Sequence, residues 1–268
     1  MTGSAAADAG GVNRVRSKLA AGDTVLTGWL TTGNTLVAET MAHLGFDALT
    51  LDTQHGAIDA GEMLGVLQAI STTDVVPIVR VAWNDPALIM KALDLGAWGI
   101  ICPMIESADD VRRFVRACRY PPVGVRSYGP TRGRLTHGDA YARVANDEVL
   151  AIAMIETRGA LEEIEVIAAV PGLDGVFVGP ADLSQALGGP PGADWDDGPV
   201  PAALERIVSA ARDAGIHAGI YTRSVPYARR MRALGFRFMT VGGGDLDLLA
   251  MGAREVLAGM ARNEERTG

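Results

Sequence analysis

Along the chain, short runs of β-branched and aliphatic residues alternate with longer stretches of helical period, the form taken by successive βα units. Eight such runs stand out: Thr24 to Thr32, Ala48 to Gln54, Val75 to Trp83, Gly99 to Ile105, Leu150 to Thr157, Gly175 to Gly179, His217 to Thr222 and Phe238 to Gly242. Helix signals fall between them. Asn34 caps the stretch Leu36 to Leu44 and Gly45 stops it, while Asn84-Asp85-Pro86 opens a helix that Gly96 closes. Ser107-Ala108-Asp109-Asp110 reads as a cap with acidic residues in the first turn, and the helix behind it ends in Arg116, Arg119 and Tyr120 before Pro121-Pro122. A last helical pattern runs from Asp245 to Arg262.

Eight βα units predict an α/β fold, a single (β/α)8 TIM barrel spanning residues 1–268, with flexible residues 1–12 and a fraying tail at 263–268. Two segments resist this scheme. Tyr120 to Ala145 is rich in Pro, Gly and Arg, and Leu187 to Pro201 in Gly, Pro and Asp. Both are long for barrel connections, which makes them candidates for an active-site rim or a subunit contact, with plain surface irregularity as the alternative.

Composition narrows the function. The chain is 48% hydrophobic with 33 glycines and 5% aromatic residues, enough apolar material for a large aliphatic core. A formal charge of -8 opposes nonspecific binding to nucleic acid, and no basic arm offsets it. The opening MTGSAAADAGG lacks the charged head and apolar stretch of a signal peptide, and no apolar run reaches the roughly 20 residues of a membrane span, so a cytoplasmic protein is expected. Cys102 and Cys118 have no spacing that suggests a disulfide framework or a zinc site and read as buried thiols.

A barrel gathers the carboxyl ends of its strands at one mouth, where residues distant in sequence meet. Asp52 and His55 end the second run, Arg80 lies near the end of the third, Glu156 ends the fifth, and Gly179-Pro180-Ala181-Asp182 follows the sixth. Glu156 and Asp182 suit a hard divalent cation that keeps its remaining positions for water and substrate oxygens. Taken singly, they read as a helix-start glutamate and a helix cap. His55 is the natural general base, and Arg80 a fixed cation for charge that develops on a substrate oxygen. The plainer readings are a structural histidine and an ion pair inside the barrel. His43 reads as structural.

Lysine usage chooses between mechanisms. Lys18 and Lys91 are the only two lysines against 22 arginines, and both fall in helical stretches away from strand interiors where an imine would form. Metal-assisted enolate chemistry remains.

At these residues the chain resembles the HpcH/HpaI aldolase family of metal-dependent class II pyruvate aldolases, from about Thr27 to Ala258. The resemblance is carried by Gly45-Phe46-Asp47, Asp52-Thr53-Gln54-His55, Val79-Arg80-Val81, Trp83-Asn84-Asp85-Pro86, the stretch Arg119 to Arg126, Ile155-Glu156-Thr157-Arg158 and the stretch Asp174 to Ser184. It implies that Glu156 and Asp182 hold Mg2+, Mn2+ or Co2+, that His55 is the acid/base residue, that Arg80 stabilises the enolate, and that backbone at Gly179 and Ala181 helps bind a 2-oxo acid. It further implies that Asp94 raises the basicity of the histidine. Since the carboxyl end of a barrel helix lies away from its own mouth, Asp94 reaches His55 only from a neighbouring copy, in keeping with the hexamers, dimers of trimers, that the family forms. Asp52 is the alternative within one subunit.

Two departures bear on substrate. Asp52-Thr53-Gln54-His55 stands where the heptanedioate aldolases often have Asp-Gly-Glu-His, and Met154 stands where they carry a substrate-contacting glutamine. Ser127-Tyr128-Gly129-Pro130 also differs and is a candidate for shaping the acceptor pocket. The expected reaction is reversible cleavage of a 4-hydroxy-2-oxo acid to pyruvate or hydroxypyruvate and an aldehyde. Alternatives are an oxaloacetate decarboxylase or macrophomate-synthase-like enzyme working through the same enolate, a citrate-lyase-like enzyme of CoA thioesters, for which no basic cluster is placed, and a non-catalytic acid-binding barrel.

Overall fold

The computed structural model describes residues 13–264. Residues 1–12 and 265–268, within the ends expected to be flexible, lie outside the described residues. Eight parallel strands close into a barrel in chain order: β1 (Val25–Leu30), β2 (Ala48–Asp52), β3 (Val76–Arg80), β4 (Gly99–Cys102), β5 (Leu150–Ile155), β6 (Gly175–Val178), β7 (His217–Tyr221) and β8 (Phe238–Gly244). Helices cover the outside, so both faces of most strands are buried and their sequences read as nearly unbroken apolar runs.

Most differences from the expected boundaries follow from where ladder pairing stops. The third run ends at Arg80, the last residue with a partner on β4, so Trp83 becomes an exposed loop residue. The eighth runs two residues longer, to Gly244, because a register shift lets Gly244 pair with Trp29. Helix starts follow local chemistry: Asn34 accepts from the N–H groups of Leu36 and Val37, Asp85 caps Pro86–Asp94, and Ser107 forms a capping box with Asp110.

The segment Tyr120 to Ala145 contains helix Thr131–His137 and the start of helix Tyr141–Glu148. It lies against the helix Pro86–Asp94 and the entry to β4, not over the mouth: Arg126 pairs with Asp94, Arg132 donates to the Leu95 carbonyl, and Trp98 meets both His137 and Tyr141. Tyr128, Gly129 and Pro130 line a separate surface depression, apart from the central cavity of the same chain. The segment Leu187 to Pro201 does reach the mouth. It has no regular structure between the helices Pro180–Ala186 and Val200–Asp213, and Asp194 and Asp196 tie it to the Arg223 N–H and the Arg230 guanidinium.

Rings fill the barrel interior. Trp29 stacks on Phe177 at 5.7 Å and Phe177 meets Phe238 edge-on at 5.8 Å. At Gly219 a Cβ would stand 2.6 Å from Phe177 Cδ2, so the glycine makes space for that ring. With the interior plugged, a ligand can enter only at the mouth.

The seam between β8 and β1 is fastened by Asp245, the first residue of the terminal helix Asp245–Glu264, which runs two residues past the expected Arg262. Its Oδ1 accepts from the Thr31 N–H (3.0 Å) and Oγ1 (2.5 Å), and its Oδ2 from the Thr32 N–H (3.1 Å) and Oγ1 (2.6 Å). Burial acts to raise this carboxyl, but the four donors outweigh it and hold the group below the ordinary 3.8. Its stabilising contribution is therefore present above about pH 4 and lost as the pH falls below the ordinary carboxylate range. Asp245→Ala should lower unfolding free energy by about 2–4 kcal/mol in urea titrations at pH 7, and the gap to wild type should narrow at pH 3.

Candidate active site

The strand ends converge on a cavity of about 430 Å3 whose polar wall includes Asp52, His55, Arg80, Asp182, Arg223 and Asp247. Asp52 and Arg80 are adjacent in the β2–β3 ladder, and both side chains are buried. Arg80 Nε donates to Asp52 Oδ1 at 3.0 Å and Nη2 to Oδ2, a two-pronged fork that Trp29 Nε1 joins at 3.3 Å. Burial opposes the charge on Asp52, and the fork overcomes it, holding the carboxyl below 3.8. The guanidinium lies 5.0 Å over the Trp29 ring, and Nη1, which Asp52 does not use, points at Met154 Sδ at 3.9 Å. The ion pair and the anion-facing role are thus compatible: one edge of Arg80 is fixed and one nitrogen is left over.

Asp52 also sets the turn that carries His55. Its Oδ1 accepts from the backbone N–H of Gln54 and of His55, each at 3.1 Å, and Thr53 is tied to the Arg80 carbonyl by its N–H and hydroxyl. At Gly56 a Cβ would collide with the Asp52 carbonyl, so the tight return of the chain requires glycine there. His55 is exposed at the rim. Asp52 therefore positions the His55 backbone, while its carboxylate is occupied by Arg80 and Trp29.

Glu156 is 2% exposed at the end of β5. Burial, reinforced by the charges of Asp182 and Asp52, pushes it up to about 7, although the Met104 N–H and Arg80 act the other way. The Met104 N–H donates to Oε1 at 2.8 Å from a backbone at φ 53, a left-handed conformation that a side chain disfavours. Sequence reasoning missed this residue; the signal available was its place just past the end of β4. Across from it, a Cβ at Gly179 would collide with Glu156 Oε2 and stand 2.9 Å from Met154 Cε. Glycine at 179 lets the backbone approach the carboxylate, and helix Pro180–Ala186 then starts with Ala181 and the exposed Asp182 in its first turn.

Two neighbouring carboxylates, one buried and disfavoured as an anion, make a donor set that a hard divalent cation would stabilise. Among the described residues no group of three or more His, Cys, Asp or Glu side chains is arranged to hold a metal.

Asp94 is not part of this cavity. At the carboxyl end of helix Pro86–Asp94 it accepts from Arg126 Nη2 at 2.8 Å, and burial pushes it above 3.8 in spite of that partner. Arg126 is itself held between the rings of Tyr120 and Tyr141, at 4.4 and 5.7 Å. Within one chain, Asp94 and His55 lie at opposite ends of the barrel. Trp29, Tyr221, Arg223 and Asp247 line the cavity and were not anticipated, because nothing in their local sequence sets them apart.

Residues 26–250 match the family model HpcH/HpaI aldolase/citrate lyase. The chain is 42% identical over 247 residues to a hydroxypyruvate/pyruvate aldolase of Rhizorhabdus wittichii, covering 92% of this chain and 98% of that one. It is 38% identical over 249 residues to a 4-hydroxy-2-oxo-heptane-1,7-dioate aldolase of Salmonella paratyphi C, with 92% and 94% covered. A crystal structure of a family protein from Burkholderia cenocepacia J2315 superposes with a TM-score of 0.85 at 32% identity, over 93% of this chain and 99% of that one. With its closed barrel and the residues at its mouth, the chain belongs to the HpcH/HpaI aldolase/citrate lyase family.

Proposed function

We propose that this protein is a divalent-metal-dependent aldolase that cleaves 4-hydroxy-2-oxo acids to pyruvate or hydroxypyruvate and an aldehyde, and runs the reverse addition. The observation that carries the reading is the convergence on one cavity of a forked Arg80, a rim histidine at 55 and Asp182, with the buried Glu156 close behind the wall they form.

Mg2+, Mn2+ or Co2+ held by Glu156 and Asp182 would supply Lewis-acid polarisation of the 2-oxo group. The chain's own residues do the rest. First-turn N–H groups at Ala181 and Asp182 lack intrahelical acceptors and suit the substrate carboxylate, which the glycine at 179 allows to come close. Arg80 Nη1 faces the oxygen on which charge accumulates. His55 takes the C4 hydroxyl proton as the C3–C4 bond breaks; its electrons pass to C2–C3 as an enolate, and the aldehyde leaves. A proton delivered to C3 then completes pyruvate. Met154 puts a thioether where a glutamine amide stands in the heptanedioate aldolases, which makes this wall of the site less polar.

Asp94 enters this proposal only through a second copy of the chain, because its own barrel separates it from His55. A homo-oligomer, a hexamer as the family resemblance implies, acting in the cytoplasm, is the proposed setting.

Aldehyde-dependent carbon–carbon bond formation from pyruvate and from hydroxypyruvate, with each cation, tests the reading. Product should appear with metal, vanish with EDTA and fall about 10^2–10^4-fold in His55→Ala. Oxaloacetate decarboxylation without any aldol product would favour decarboxylase chemistry instead.

A second prediction concerns Glu156. Its proton competes with the cation, so divalent affinity measured by calorimetry should weaken up to about tenfold per pH unit below about 7 and level off above it. Glu156→Gln should lower affinity and remove that slope; a slope retained in the variant would assign the proton to another group.

A further inference from the structure

The mouth holds a second polar cluster that the enolate chemistry leaves unused. Arg223, just past β7, donates from Nη2 to Asp247 Oδ1 at 2.8 Å, and its backbone N–H donates to Asp194 Oδ1 at 2.9 Å. Asp247 Oδ2 accepts from the Gly244 N–H at 3.2 Å. The backbone is shaped around that carboxylate: Gly242 and Gly243 have φ of 90° and 81°, and a Cβ at Gly243 would collide with Asp247 Oδ2. Both charged side chains line the cavity beside Tyr221 and the rim residues Gly192 and Ala193, while Trp29, Met154 and Phe177 make the rest of the wall apolar.

The plainer account is a surface ion pair. At 60% and 39% side-chain exposure, however, such a pair contributes little stability, so the special backbone that seats it is poorly explained by folding alone. What the pair presents to the cavity is a fixed donor beside a fixed acceptor. A hydroxyl group can accept from Arg223 and donate to Asp247 at once. A carboxylate can only accept: it can use the Arg223 donor, whose charge Asp247 already offsets, but leaves the Asp247 acceptor facing another anion.

We propose that Arg223 and Asp247 select the aldehyde half of the substrate, favouring a short hydroxyaldehyde over an aldehyde that ends in a carboxylate. The inference rests on the aldolase reading of this cavity and adds to it the class of acceptor. Arg223 and Asp247 are specificity residues for that half, separate from the groups that handle the 2-oxo acid.

The test is a competition among acceptors with the full chain, pyruvate and saturating Mg2+: glyceraldehyde, succinic semialdehyde and propanal, each read as kcat/KM. Ratios within one variant cancel any loss of folded protein or of enolate formation. Wild type should prefer glyceraldehyde over succinic semialdehyde by about tenfold or more. Asp247→Asn, which keeps an acceptor but removes the charge, should lower that ratio about tenfold, and Arg223→Met should lower the glyceraldehyde-to-propanal ratio by a similar factor. A wild-type preference for the semialdehyde, or ratios that stay within about twofold in both variants, would overturn the assignment. Exchange of the pyruvate methyl protons for deuterium, followed by NMR in wild type without aldehyde, separates the two levels. Exchange with unresponsive ratios sinks the selectivity alone, whereas no exchange sinks the aldolase reading and the selectivity with it.

Discussion

The fork between Arg80 and Asp52 is the interaction on which the mouth of this barrel depends. Two adjacent parallel strands end on opposite charges in register, and neither charge could be buried without the other. The same carboxylate then gathers the Gln54 and His55 N–H groups and the Trp29 indole, so one side chain orders the cation, the histidine turn and the floor beneath them. Because Asp52 takes Nε and Nη2, only Nη1 of Arg80 is left to face a ligand, and its direction is set before any ligand arrives.

Around that fork the chain stores cost where the site needs it. Glu156 is kept buried beside another carboxylate, and Met104 adopts a disfavoured backbone in order to aim its N–H at it. Glycines at 56, 179 and 243 all occupy points where a side-chain carbon would strike an oxygen of the mouth. Local rules of good packing are broken at the carboxyl ends of the strands and obeyed at the base, where Asn13, Arg16 and Arg119 satisfy the strand-entry carbonyls and Asp174. The asymmetry is that of a barrel whose lower end serves stability and whose upper end serves chemistry.

Much of this was legible in the residues. All eight strand runs and the caps at Asn34, Asp85 and Ser107 follow from local hydrophobic pattern and hydrogen-bonding chemistry, which act over a few residues and need no knowledge of the fold. His55, Arg80, Glu156 and Asp182 were found because a parallel barrel converts the end of every strand into one neighbourhood. The helices Thr131–His137 and Tyr141–Glu148 were not found. Their apolar faces are completed by Trp98, and Arg132 is held by the Leu95 carbonyl, partners some thirty or more residues away whose contribution no local window contains.

The sequence by itself determined the barrel, the order of its units and the candidate side chains at its mouth, since hydrophobic period and strand-end position are properties of contiguous residues. Tertiary structure alone decided what those side chains are bound to: that Asp52 belongs to Arg80 rather than to the His55 ring, that Asp94 belongs to Arg126, that the Met104 N–H belongs to Glu156, and that Arg223 and Asp247 face the mouth at all. Hydrogen-bond partners and burial arise between segments far apart in the chain. They exist only once the closed sheet has brought β1 against β8 and set the reach of every loop above it.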